Sequence, residues 1–260
     1  MKVKAKKHLG QHFLRDSSIS RKIVESISFE KSQNVLEIGP GTGALTKWLL
    51  KENKMGSLFL MDVDQESITF LNQKYPELEG NILFADFLRY NIDQFLINES
   101  FSVVGNFPYN ISSQILFRCL EFKDRIPEIV GMFQREVAQR IAQGPGNKQY
   151  GILSVFMQAY YDIEYLFTVD EDVFDPPPKV KSGVIRCLRN SRTKLPCDEK
   201  LFKLVVKTAF NQRRKTMRNS LKSIQGTTML PEKFSAERPE QCSVDDFIEL
   251  TNAIKANQKA

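Results

Sequence analysis

Residues 34–43 read Asn34-Val35-Leu36-Glu37-Ile38-Gly39-Pro40-Gly41-Thr42-Gly43. The run Asn34–Ile38 has the length and apolar character of a buried strand, and Thr42-Gly43 leads into a helix expected to continue through Leu50. Glycines between a strand and a helix let the backbone turn sharply and approach a ligand closely. A lone G-x-G is weak by itself, because ordinary tight turns use the same residues. Its surroundings add weight. Asp62 and Asp64 follow the next expected strand, Ser57–Met61, and Asp86 follows Ile82–Ala85. Three successive strand ends therefore carry glycine-rich or acidic residues, on the edge where open α/β sheets bind ligands.

Working outward, strands and helices alternate. A helix over Gln65–Lys74 is followed by the strand Phe101–Val104, the helix Ser112–Phe122, the strand Ile126–Phe133 and the helix Glu136–Ala142. Gly144-Pro145-Gly146 breaks the chain before a helix over Ile152–Tyr161. Ile163–Val169 and Val184–Leu188 form a last strand pair around Pro176-Pro177-Pro178. Ser18 reads as the N-cap of an earlier helix carrying Ile19, Ile23, Val24 and Ile27. This order predicts an α/β fold: a mostly parallel, Rossmann-like sheet with helices on both faces and an antiparallel edge. After Asn190 no strand signal remains. Asp198–Phe210, Thr216–Ile224 and Ser243–Lys255 look helical, the last capped by Ser243 with Asp246 three residues on. A boundary near Asn190–Pro196 would separate a ligand-binding domain (1–190, with a basic N-terminal arm of Lys2, Lys4, Lys6 and Lys7) from a small helical domain (191–260).

A nicotinamide nucleotide fits the glycine loop less well, since Ala44 stands where G-x-G-x-x-G has its third glycine. The acidic rim suits a cationic sulfonium cofactor, S-adenosylmethionine, better than a pyrophosphate. On this reading Gly39 and Gly41 cradle the cofactor, Asp62 or Asp64 accepts from ribose hydroxyls, and Asp86 lies beside them. Glu37 organises the loop or the cofactor's amino-acid end.

The fourth strand runs into Asn106-Phe107-Pro108-Tyr109-Asn110. Adenine's exocyclic nitrogen is a poor nucleophile because its lone pair is delocalised into the ring. Accepting both amine hydrogens favours a tetrahedral nitrogen with its lone pair aimed at a methyl donor. Asn106 offers a side-chain carbonyl, and a main-chain carbonyl of the turn, that of Phe107, offers the second. Pro108 fixes the turn, and Tyr109 presents a flat face for a flipped-out base.

The 260 residues are 42% hydrophobic and 26% charged, an ordinary composition for a soluble globular protein, and no apolar stretch approaches the ~18 residues of a membrane span. No signal core follows the basic N-terminus, so a cytoplasmic location is expected. Cys119, Cys187, Cys197 and Cys242 lack any C-x-x-C pairing and read as reduced thiols; no cluster has metal-ligand spacing. The net charge of +6 is uneven: 14 basic and 8 acidic residues lie between Arg192 and Ala260, and the rest of the chain is neutral. Lys200–Lys222 holds 8 basic residues and no acidic one. Such a block is the footprint of a polyanion partner, and also fits a solvated helix face.

Taken together these segments resemble the rRNA adenine N6,N6-dimethyltransferases of the KsgA type, with their Erm relatives. The resemblance spans nearly the whole chain: Gly10-Gln11-His12-Phe13-Leu14, Glu37–Gly43, Asn106–Ser112, Phe174-Asp175-Pro176-Pro177-Pro178-Lys179-Val180, and Phe210–Leu221. The last two match the KsgA branch rather than the Erm branch. It implies that His12 and Leu14 touch the cofactor with Gly39, Asp62, Asp86 and Asn106, and that Phe174 packs against the target base opposite Tyr109. It implies dimethyladenosine at two adjacent adenosines of a small-subunit rRNA helix-loop. The sequence departs from the family's usual residues at His12 (often Asn), Asp62 (usually Glu) and Phe107 (commonly Leu or Ile). Arg213, Arg214, Lys215 and Arg218 are expected to face phosphate, with a carboxylate partner open for Arg218. A monomer is the default. Two other readings stay open, an RNA-binding ribosome assembly factor and a DNA adenine methyltransferase.

Overall fold

Strands that are apolar on both faces need cover on both sides, and the helices between them supply it. In a computed structural model, which describes residues 3–226 and 230–257, the chain forms two compact units: residues up to 138 with 162–189, and 139–161 with the residues from 190 onward. Lys2 of the expected basic arm and the last three residues of the expected helical domain lie outside the described residues.

The first unit carries β1 (Phe13–Leu14), α1 (Ser17–Glu25), β2 (Val35–Ile38), α2 (Thr46–Leu49), β3 (Leu58–Asp62), α3 (Gln65–Lys74), β4 (Ile82–Phe84), β5 (Ser102–Asn106), α4 (Ser112–Glu121) and β6 (Glu128–Gln134). The helices α5 (Arg135–Ala142) and α6 (Ile152–Gln158) precede β7 (Tyr161–Val169), β8 (Phe174–Asp175) and β9 (Ser182–Arg189). One sheet has the order β4-β3-β2-β5-β6-β9-β7. Pairing is parallel from β4 to β6, and β9 runs antiparallel to β6. The direction of winding reverses between β2 and β5, so a crevice opens beyond the ends of those two strands, at Ile38-Gly39 and Asn106. A second, two-stranded sheet pairs β1 with β8, Leu14 opposite Phe174. Two residues per strand left no periodicity to read in the sequence.

The expected strands and helices of this unit are present, with three local differences. The helix after the glycine loop covers only Thr46–Leu49, because Gly41 and Gly43 hold φ of 54° and 78°, outside the right-handed helical region. Tyr161, expected to end a helix, begins β7. Asp16 rather than Ser18 caps α1, its carboxylate accepting from the backbone of Ser18 (2.7 Å) and Ile19 (3.1 Å).

The second unit contains α7 (Glu199–Asn211), α8 (Met217–Ser220), α9 (Lys222–Gln225), α10 (Glu232–Ser235) and α11 (Val244–Asn257). The expected helix Thr216–Ile224 is thus broken at Leu221. Ser243 and Asp246 cap α11 reciprocally, Ser243 N donating to Asp246 Oδ2 (2.9 Å) and Asp246 N to Ser243 Oγ (3.2 Å). The sequence pattern suggests a single cut near Asn190, but this unit also takes in residues 139–161. The reason is aromatic packing: Phe156 lies against Phe202 (ring centroids 6.2 Å), and Tyr150 against Phe210 (6.3 Å). No helix among the described residues is long and apolar enough to cross a membrane.

Candidate active site

The floor of the crevice is built by β2 and the loop after it. Gly39 continues the β2–β3 ladder, its N–H donating to Met61 O at 2.9 Å, and then leaves it with φ 67°. A Cβ on Gly41 would stand 2.8 Å from the ring of Phe13, so β1 closes down on the loop to a distance only glycine permits. Asp62 ends β3 buried, accepting from Gly41 N (3.2 Å) through Oδ2 and from Asp64 N (2.9 Å) through Oδ1. Burial raises its pKa and the backbone donors oppose that. Each oxygen keeps a further lone pair for a ligand hydroxyl.

Glu37 lies deeper, 2% exposed, and accepts from Thr46 Oγ1 at 2.6 Å. Burial, chiefly, with the nearby Asp62 carboxylate, pushes its pKa up to about 8 against the Thr46 hydrogen bond. It lines a small cavity with Leu14, Gly39 and Asn106. Asp86 is more exposed and caps its own turn, accepting from Leu88 N at 3.0 Å. It borders an apolar recess formed by Ile38, Met61, Val63 and Ile115.

Asp64 has a different role from Asp62. It caps α3, accepting from Glu66 N (3.1 Å), and binds the N-terminal segment through Lys6 Nζ (2.5 Å) and Gln11 Nε2 (3.2 Å). Burial would raise its pKa, but the bonds from Lys6, Gln11 and Ser67 hold it below the usual carboxylate range. Lys6 is therefore anchored on the sheet edge, a docking that the one-sign run of lysines did not disclose.

Across the crevice, β5 ends in Asn106. Its Nδ2 donates to His12 O at 2.8 Å, and no described residue donates to its Oδ1. Both Asn106 and the neighbouring turn line the main cleft, together with Gly39, Gly41, Asp62, His12 and Tyr109. Among the described residues neither lysine nor arginine lines it. The Tyr109 hydroxyl meets Ser182 Oγ at 2.6 Å, and burial raises the phenol's pKa against that bond. The His12 ring stacks on Tyr109 (centroids 5.5 Å, 28°), and His12 Nδ1 lies 2.7 Å from Pro176 O. A carbonyl only accepts, so Nδ1 carries the hydrogen.

One expected site side chain, that of Phe174, is elsewhere, and Phe107 enters the site by its backbone alone. The Phe107 ring is buried beneath the turn, over Gly105 and Gly131, which face each other across β5 and β6. A Cβ on Gly131 would come within 2.3 Å of that ring. Phe107 therefore offers the site its main chain, and its bulk is accommodated by the glycines beneath it. Phe174 is 3% exposed, in the apolar cluster with Leu14 and Val184, and is absent from the cleft lining; the ring found against Tyr109 is that of His12. Ser182, which pins Tyr109, carried no signal in the sequence. Among the described residues no group of three or more His, Cys, Asp or Glu could hold a metal ion.

In the helical unit, Arg213 corrects another expectation. Its guanidinium donates to the carbonyls of Lys148 and Tyr150 (3.2 Å for the latter) and lies 3.7 Å from Glu240, tying the 139–161 insertion to the α7–α8 turn. Arg214, Lys215 and Arg218 are exposed, and none has a carboxylate partner among the described residues.

A parallel sheet wound in this order, with a glycine loop after β2, an acid ending β3 and a polar turn ending β5, defines a class I methyltransferase. The chain belongs to the ribosomal RNA adenine dimethylase family, whose model matches residues 2–255. It is 57% identical over 257 residues to ribosomal RNA small subunit methyltransferase A of Flavobacterium johnsoniae, covering 98% of each chain. It is 55% identical over 256 residues to the protein of that name from Cytophaga hutchinsonii, covering 97% of this chain and 98% of the other. Among solved structures, a dimethyladenosine transferase from Plasmodium falciparum superposes with a TM-score of 0.79 at 22% identity, over 95% of this chain and 98% of that one, a likeness of fold.

Proposed function

We propose that this chain transfers methyl groups from S-adenosylmethionine to the N6 amines of two adjacent adenosines in a helix-loop of small-subunit (16S) rRNA, in ribosome biogenesis. The observation that carries the reading is Asn106: its amide is fixed by the His12 carbonyl, which leaves Oδ1 as an acceptor at the cleft beside Gly39 and Asp62.

The residues fit the cofactor. The backbone at Gly41 leaves no room for a side chain, Asp62 lines the cleft with acceptor oxygens, and among the described residues no lysine or arginine lines it to favour a pyrophosphate. Bound there, S-adenosylmethionine supplies an electrophilic methyl group on a cationic sulfur. Asp62 takes the ribose hydroxyls and Gly39 with Glu37 the amino-acid end. The recess bordered by Asp86 takes the adenine, and His12 and Leu14 of the N-terminal segment cover the cofactor. Asn106 Oδ1 and Phe107 O accept the two hydrogens of the target amine and turn its lone pair toward the methyl group. Pro108 holds the turn, and Tyr109, its phenol tethered to Ser182, gives the base a rigid stacking face. The methylated nitrogen is cationic and releases its proton to water, so no basic side chain is required. Arg214, Lys215 and Arg218 of the helical unit contact phosphate, and the chain works as a monomer.

Transfer of labelled methyl from S-adenosylmethionine onto immature small subunits, naked small-subunit rRNA and duplex DNA tests the proposal. Label in adenosines of either RNA substrate is expected. Label in DNA alone, or in none, overturns it.

A further inference from the structure

Residues 1–191 carry no net charge, yet the cations of the first unit are not evenly spread in space. Three surround one indole: Arg21 Cζ of α1 and Lys47 and Lys51 Nζ lie 5.6, 5.7 and 4.7 Å from the Trp48 ring. Beside them Lys22 Nζ sits 4.1 Å from the Phe167 ring, and Lys74 Nζ 5.3 Å from that of Phe70. Only Arg21 has a carboxylate partner, Glu25 at 2.7 Å. The four lysines have none among the described residues; Lys47 donates to Ser17 Oγ (2.8 Å) and Lys74 to Thr42 O (3.1 Å). Burial, and then the Lys47 ammonium, hold Lys74 below the usual lysine range, so these two charges feel each other without an anion between them. Thr42 belongs to the glycine loop and borders the cavity over Glu37. The cationic face therefore begins at the rim of the cleft and continues along α1.

Gathering like charges is unfavourable for an isolated domain, and the aromatic faces relieve only part of it. Because the cations already occupy the Trp48 and Phe167 faces, base stacking is blocked there and the free hydrogen-bonding capacity belongs to ammonium groups. That suits phosphate oxygens, read without regard to sequence. We propose that the face of α1, α2 and the end of α3, carrying Lys47 and Lys51 at Trp48, Lys22 at Phe167 and Lys74 at Phe70, is a contact for the sugar-phosphate backbone of the substrate RNA flanking the cleft. This rests on the chain acting on RNA.

The test is binding of the full chain to a fluorescent small-subunit rRNA hairpin over a series of KCl concentrations, with S-adenosylhomocysteine affinity measured in parallel. Lys22→Gln/Lys51→Gln is expected to make the slope of log Kd against log salt shallower by about 2, near one unit for each phosphate that the variant no longer neutralises, with cofactor-product affinity unchanged. Lys31→Gln is the control, because that exposed lysine is bonded to the Arg189 carbonyl at the opposite end of the sheet; its slope is expected to match the parent. A double variant with the parental slope and affinity overturns the inference while leaving the methyltransferase reading intact. A control variant whose slope flattens equally overturns it too, since net charge alone would then be responsible. A parent chain that binds no RNA overturns both.

Discussion

The side-chain amide of Asn106 donates to the main-chain oxygen of His12 over 2.8 Å, joining positions 94 residues apart. The bond fixes which end of the amide faces the cleft, so the acceptor is set before any substrate arrives. Asn106→Ala is expected to lower the single-turnover rate by about 10²–10³-fold, the scale of losing one preorganised hydrogen-bonding group, while cofactor affinity falls less than about tenfold. Equal losses in rate and in calorimetric affinity would make Asn106 chiefly a cofactor residue.

Tyr109 is held on one side by the His12 ring and at its hydroxyl by Ser182. Ser182→Ala removes only the tether. It is expected to reduce kcat/KM for RNA by about fivefold, the value of one hydrogen bond, with cofactor affinity unchanged. Tyr109→Phe should cost about as much, and the double variant no more than either. Additive losses in that cycle would show the two groups acting independently.

Glu37 titrates near 4.5 when unfolded and near 8 when folded. Between those values the folded chain retains a proton that the unfolded chain releases, so this group's contribution to stability declines as pH rises from about 4.5 to 8. Glu37→Gln keeps an acceptor for Thr46 without the titration. Its urea-unfolding free energy minus that of the parent should be larger at about pH 8 than at about pH 5, by on the order of 3 kcal/mol. A difference independent of pH would mean that Glu37 ionises normally in the fold.

Gly131 lies under the Phe107 ring with no space for a methyl group. Gly131→Ala is expected to destabilise the chain by about 1–3 kcal/mol through overpacking, and Phe107→Leu in the same chain should recover part of that. Denaturant melts of the two single variants and the double decide it; no recovery would place the strain in the backbone rather than at the ring.

Arg213 is occupied by the carbonyls of Lys148 and Tyr150, whereas Arg214 and Arg218 are exposed. Arg214→Gln/Arg218→Gln should flatten the salt dependence of RNA binding by up to about 2 units of slope. Arg213→Gln should instead lower the melting temperature and leave the slope nearly unchanged. The reverse pattern would return Arg213 to the phosphate contacts.

What was legible in the sequence is what is local in the chain. Gln65–Lys74 is helical over the predicted residues, since an acidic cap and apolar periodicity lie within one short window. The glycine loop, the acids after β3 and β4 and the turn after β5 are each a strand end followed by a few characteristic residues. Their grouping at one crevice follows from parallel alternation. By itself, then, the sequence determined the fold class and which residues end the parallel strands at the crevice.

Tertiary structure alone decided which distant side chains meet. Phe174 and His12 were both candidates, but pairing of β1 with β8 buries one ring and lays the other on Tyr109. Ser182 reaches Tyr109 across 73 residues, Arg213 turns inward on an insertion more than 60 residues earlier, and Arg21 of α1 is carried to 5.6 Å from the Trp48 ring. Each depends on strand order and on packing between distant segments. Those contacts form only when the whole sheet and the helical unit are assembled, so no local pattern of residues records them.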